Sequence, residues 1–115
     1  MKTLTENYYF DTSKPNAACK IGVQLTELLL KTDRPLDDVI IICIGTDRST
    51  GDSLGPIVGY KLSKALRKSG KKQQKNGITM YGTLSSPVHA TNLESILSEI
   101  NFRHSKPFCI AVDAS

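Results

Sequence analysis

Asp38-Val39-Ile40-Ile41-Ile42-Cys43-Ile44-Gly45 is the stretch on which the fold turns. Its apolar residues run without alternation, and most are β-branched, a side-chain shape that packs well on a pleated surface. A strand that is apolar on both faces suits the middle of a parallel sheet covered by helices on both sides. The segment is therefore expected to be a central strand over 38–45. Downstream, residues 46–53 are rich in Thr, Asp, Ser and Gly and read as a loop. A helix is expected from Leu54 or Pro56 to Arg67, with Pro56 in the first turn, where a missing N–H costs nothing. Leu54, Val58, Leu62 and either Ala65 or Leu66 are its expected buried face.

Outward from this centre the pattern repeats. Upstream, Ala18, Ile21, Leu25 and Leu28 recur at helical spacing, with Leu29 widening the stripe, and predict a helix over 16–31. Pro35 disfavours helix at the residue before it and closes that segment. Residues 69–76 form a basic polar loop, and 77–81 a short strand. Residues 91–101 predict a third helix with Leu93, Ile96, Leu97 and Ile100 on one side, Thr91 as N-cap and Glu94 completing a capping box. Residues 107–112 predict a last strand, ending at Asp113. Alternating helices and strands give an α/β fold, read here as a three-layer αβα sandwich with a mostly parallel sheet and right-handed crossovers. Residues 1–13 are polar apart from Tyr8, Tyr9 and Phe10 and read as an N-terminal arm, leaving 14–115 as one α/β domain.

Composition narrows the classes. The chain has 115 residues and is 39% hydrophobic and 23% charged, as soluble domains are. No apolar run approaches the roughly 20 residues of a membrane span. The N-terminus has no apolar signal region, so a cytoplasmic location is expected. The net charge of +4 is local: Lys61, Lys64, Arg67, Lys68, Lys71, Lys72 and Lys75 supply seven of the 15 basic residues. No aromatic residues interleave the lysines as a stacking platform requires, so nucleic-acid binding is not expected. Three widely spaced cysteines form no CxxC pair, and Cys43 and Cys109 sit inside apolar runs, where a buried, reduced thiol is expected. No cofactor is expected.

In open parallel sheets, ligands bind outside the carboxyl ends of the strands. Two segments carry polar chemistry there. Gly45-Thr46-Asp47-Arg48-Ser49-Thr50-Gly51-Asp52-Ser53-Leu54-Gly55-Pro56 lacks the lysine of a phosphate-binding loop and the spacing of a dinucleotide-binding one. Asp52 would lie just before a helix N-terminus, where a carboxylate is favoured, and either it or Ser53 could be a plain N-cap. Phe108–Val112 would deliver Asp113 to the same edge if the two strands are neighbours. Two converging carboxylates suit general acid and base work on an amide, and equally a divalent cation. His89 and His104 both precede Asp113 and read as solvated loop histidines rather than metal ligands.

The first loop resembles the Gly-Asn…Thr-Pro-Asp-Ala-Leu-Gly-Pro motif of the germination protease of spore-forming bacteria. Gly82-Thr83-Leu84-Ser85-Ser86-Pro87 is similar to that family's middle segment, and Ile110-Ala111-Val112-Asp113-Ala114-Ser115 to its second aspartate motif. The overall pattern over residues 20–115 resembles the YyaC-like sporulation proteins, small relatives of that protease. The resemblance implies a phosphorylase/hydrolase-like fold and an atypical aspartic peptidase with Asp52 and Asp113 as catalytic residues. It further implies Gly45, Thr46, Asp47, Ser85 and Ser86 as substrate-binding residues, and no metal. Small acid-soluble spore proteins would be the substrates, in the cytoplasm of forespore or mother cell. Thr46 stands where the family has asparagine, and Gly51 where it has proline. Relatives continue for a similar length beyond the second motif, so the resemblance implies an N-terminal half, with exposed apolar surface that favours homo-oligomers. Two other functions are compatible with these residues: a binding module that keeps the fold without catalysis, and an acidic-partner binder using Lys61–Lys75.

Overall fold

The computed structural model describes residues 7–31, 38–46, 48, 50–68 and 78–114. The chain separates into two compact units, residues 1–33 and 34–115. In the first unit, α1 spans Ala17–Leu30. Ahead of it, the Ser13 amide and hydroxyl both donate to Asp11 Oδ1, at 3.0 and 2.6 Å, a side-chain turn that lowers the Asp11 pKa. Only Ala17 of α1 is buried, and Leu25, expected on the apolar stripe, is exposed together with Val23 and Leu30.

The second unit holds a three-stranded, open, parallel sheet. β1 is Val39–Ile44, β2 is Ile78–Tyr81 and β3 is Phe108–Asp113, in spatial order β2-β1-β3. The unalternated apolar run is thus the central strand, with Ile40 and Cys43 fully buried. Val39–Ile42 pair with Ile78–Tyr81, and Val39–Ile44 with Phe108–Asp113. Helix α2 (Leu54–Lys68) connects β1 to β2, and α3 (Leu93–Arg103) connects β2 to β3. The chain steps from β1 out to β2 and then back past β1 to β3. With both crossovers of one hand, that reversal sends the two helices to opposite faces.

Packing agrees. Ile40 and Ile42 cluster with Val88 and Ile100, and with Ile44, Tyr81, Leu93 and Ile96, which places α3 on the even-numbered face of β1. Burial, and after it the negative charge of Glu99, push the Tyr81 phenol's pKa up. The odd-numbered face receives α2, whose Gly59 comes against Cys43.

Further side-chain expectations fail in this unit, among them Leu97 of α3, which is exposed. Leu54 is exposed because α2 turns its glycines, Gly55 and Gly59, toward the sheet instead. Thr91 does not cap α3: Asn92 occupies that position without a side-chain capping bond, and the Thr91 hydroxyl is engaged with His89. Cys109 is exposed, not buried. It shares its face with Ala111 and Asp113, all exposed on an edge strand, while Phe108, Ile110 and Val112 are half-buried on the other face.

Candidate functional site at the carboxyl edge of the sheet

All three strands run parallel, so the residues following β1, β2 and β3 emerge at one edge. The loops after β1 and β2 lead to helices on opposite faces. That divergence is the switch point at which open α/β sheets form a crevice.

The loop after β1 is built around Gly45, whose φ of 148° lies in a region side chains rarely adopt. A Cβ there would collide with the Asp52 carbonyl oxygen. The absence of one lets the short 3₁₀ turn Thr50–Asp52 fold back over the strand end. The Thr46 amide then donates to the Asp52 carbonyl at 2.8 Å, closing the loop. Thr46 Oγ1 in turn accepts the Arg48 amide at 3.2 Å. Asp52 and Thr46 are half-buried, and Pro56, in the first turn of α2, is fully buried.

On the other side of β1, Asp113 pairs with Ile44, so its Cα stands one strand spacing away, about 4.8 Å. β1 and β3 are neighbours, the condition under which the two aspartates could converge, and Asp52 and Asp113 leave the same edge. Their settings differ: Asp113 is exposed and shares the α3 face of Ile44, whereas Asp52 lies at the entry to α2, which packs on the opposite face. Asp47 lies outside the described residues.

The loop after β2 begins at Gly82, with φ 89°, whose Cβ would meet the Cys43 carbonyl oxygen. Ser85 and Ser86 form an exposed turn tied to Thr83: the Thr83 amide donates to the Ser86 carbonyl, and the Ser86 amide to Thr83 Oγ1, both at 3.2 Å. Ser85 and Ser86 are therefore organised with Thr83 rather than with the β1 loop. Val88 then returns to bridge Ile44, and its carbonyl accepts the Gly45 amide at 2.8 Å. Next along the chain, His89 is anchored twice. Its amide donates to Asn92 Oδ1 at 2.8 Å, and its Nδ1 is hydrogen-bonded to Thr91 Oγ1 at 2.6 Å. Asn92 Nδ2 also donates to the Pro87 carbonyl, so this one side chain braces the whole turn. His89 is thus a half-buried, oriented group at the carboxyl edge, not a loosely solvated one.

His104 is corrected too. It sits at the opposite edge of the sheet, 16% exposed, with Nδ1 2.6 Å from Asp38 Oδ1. Among the described residues no three His, Cys, Asp or Glu side chains gather so as to hold a metal ion.

The sequence reading missed Gly55, Gly59, Gly82 and Asn92. The glycine signal was present, since Gly55 and Gly59 are four residues apart and so share one face of α2. For Asn92 nothing local distinguishes a loop brace from a solvated amide.

Fold and edge together define a small parallel-sheet α/β protein with acidic and hydroxyl-bearing groups on the loops at the strands' carboxyl ends. Residues 9–115 match the family described as Protein of unknown function (DUF1256), and the chain belongs to it. It is also similar to the "Uncharacterized protein YyaC" of Bacillus subtilis (strain 168), with 51% identity over 76 residues. That match covers 66% of this chain and 33% of the relative. No solved structure matches. No helix among the described residues is long and apolar enough to cross a membrane.

Proposed function

We propose that this chain carries the aspartate pair of a peptide-bond hydrolase of the germination-protease type, acting in the cytoplasm of sporulating cells. The finer fold belongs to the same proposal: a three-layer αβα, phosphorylase/hydrolase-like sandwich. The observation that carries the reading is the common origin of the two aspartates. Asp113 stands in register with Ile44, and the Asp52 carbonyl is bonded to Thr46, two residues further on. In the mechanism, one carboxylate takes a proton from water as its oxygen attacks the amide carbon. The other carboxyl gives a proton to the leaving nitrogen as the C–N bond breaks, yielding an acid and an amine. The middle-segment hydroxyls of Ser85 and Ser86 would bind the peptide beside the pair.

The test uses the full-length gene product with a small acid-soluble spore protein as substrate, read by mass spectrometry. Cleavage is expected to fall by about 100-fold or more in both Asp52→Asn and Asp113→Asn. Equal cleavage by parent and variants would sink the aspartate mechanism. A second reading, a binding module without catalysis, is favoured by the exposure of Asp113. It would be adopted if the parent binds the spore protein without cutting it.

A further inference from the structure

α2 presents two unlike faces. Toward the sheet it turns Gly55 and Gly59, which come so close that a Cβ on either would strike a backbone carbonyl oxygen, of Ile44 and Gly82 respectively. On the far side lie Leu54, Ile57 and Tyr60, which are 50%, 40% and 43% exposed. At 3.6 residues per turn, these three fall within an arc of about 120°, and Lys61 and Lys64 fall within the same arc. Both lysines are exposed, and Lys64 Nζ stands 5.1 Å from the centre of the Tyr60 ring. The stripe is therefore apolar and aromatic over its first half and cationic over its second. From Leu54 to Lys68 the helix has no aspartate or glutamate to neutralise it. Sheet packing explains none of these five side chains, because the sheet is engaged through the opposite face.

We propose that this outer face of α2 is a docking surface for a protein segment that places apolar side chains on Leu54, Ile57 and Tyr60 and acidic ones on Lys61 and Lys64. The charge of the face selects the partner. A neutral apolar segment would leave two lysines partly desolvated without counter-charge, and a basic one would be repelled. A nucleic acid would satisfy the lysines and leave Leu54 and Ile57 unused. The polarity of the stripe also sets direction: the partner's apolar residues lie toward the sheet's carboxyl edge, where α2 begins, and its acids lie away from it. Docking here does not depend on hydrolysis at that edge.

The test is selection from a random 12-residue peptide display library on the immobilised full chain, followed by fluorescence anisotropy with the selected peptides. The expected consensus pairs two apolar or aromatic residues with two or more acids. Its affinity should drop about tenfold or more in Lys61→Glu/Lys64→Glu and, separately, in Ile57→Ser/Tyr60→Ser. Raised salt should weaken binding to the parent but not to the charge-reversed variant. All four positions are exposed, and circular dichroism checks that each variant folds. The proposal is overturned by selection of no consensus, by a consensus without acids, or by selected peptides that bind both variants as they bind the parent. It is equally overturned if a single-stranded oligonucleotide binds more tightly than the peptides and is unaffected by Ile57→Ser/Tyr60→Ser, which would make the face a nucleic-acid surface.

Discussion

Replacing Gly55 by alanine inverts an ordinary expectation. Inside a helix, alanine is favoured over glycine by about 1 kcal/mol, because glycine loses more backbone freedom on folding. At Gly55 the new methyl would overlap the Ile44 carbonyl oxygen and lie 2.7 and 2.8 Å from the Ile44 carbonyl carbon and amide nitrogen. None of these is a side-chain atom that could swing aside. Ile44 belongs to the central strand and is held on both flanks, by Asp113 and by Val88. The helix itself must lift, which opens the packing of Gly59 on Gly82 and Cys43. Overpacking of this kind costs up to about 3 kcal/mol. Subtracting the propensity gain leaves a net destabilisation of about 2 kcal/mol, or a Tm lower by roughly 8–16 °C for a domain of this size. Urea titration followed by circular dichroism measures it. Gly22→Ala in α1, where a Cβ meets nothing within 4 Å, is the control and should stabilise its helix. Gly55→Ala/Gly59→Ala should cost less than the sum of its parts, since one lifted helix accommodates both methyls. A Gly55→Ala chain as stable as the parent would refute the seating of α2 on β1 through glycine.

Three further outcomes follow from the structure. Cys19 and Cys109 are exposed and should react with an aromatic disulfide reagent within the mixing time, whereas the buried Cys43 should react only as the chain unfolds; simultaneous reaction of all three would remove Cys43 from the core. Burial also raises the Cys43 pKa, so the stability tied to its protonated form is complete below the usual thiol range and is lost as pH rises through the elevated value; Cys43→Ala should flatten that alkaline decline. For the Asp38–His104 pair, a double-mutant cycle with Asp38→Asn and His104→Ala at neutral pH should give a coupling of about 1 kcal/mol. A coupling near zero would mean that the 2.6 Å contact contributes nothing to holding α3's end against the start of β1.

Part of the site was legible before any coordinates. Asp113 after five apolar residues predicts a carboxylate at the sheet's edge. His89 was not legible, because its order depends on Asn92 and Thr91 folding back upon it, and a side chain that braces a turn looks like any polar loop residue. His104 was misjudged for a similar reason. Its partner Asp38 is 66 positions away, a pairing that periodicity cannot express.

Which segments are strands and helices follows from local patterns in the chain, since unalternated β-branched runs and helical spacing are local properties. The parallel sheet is equally a matter of sequence, because β1 and β2 are each followed by a helix long enough to carry the chain back. The strand order, which brings Asp113 beside Ile44, emerges only once the elements pack. So does the rotation of α2, which buries glycines and leaves Leu54, Ile57 and Tyr60 in solvent. Both depend on how closely two backbones can approach. Residues distant in sequence set that limit together, and no single stretch of the chain contains it.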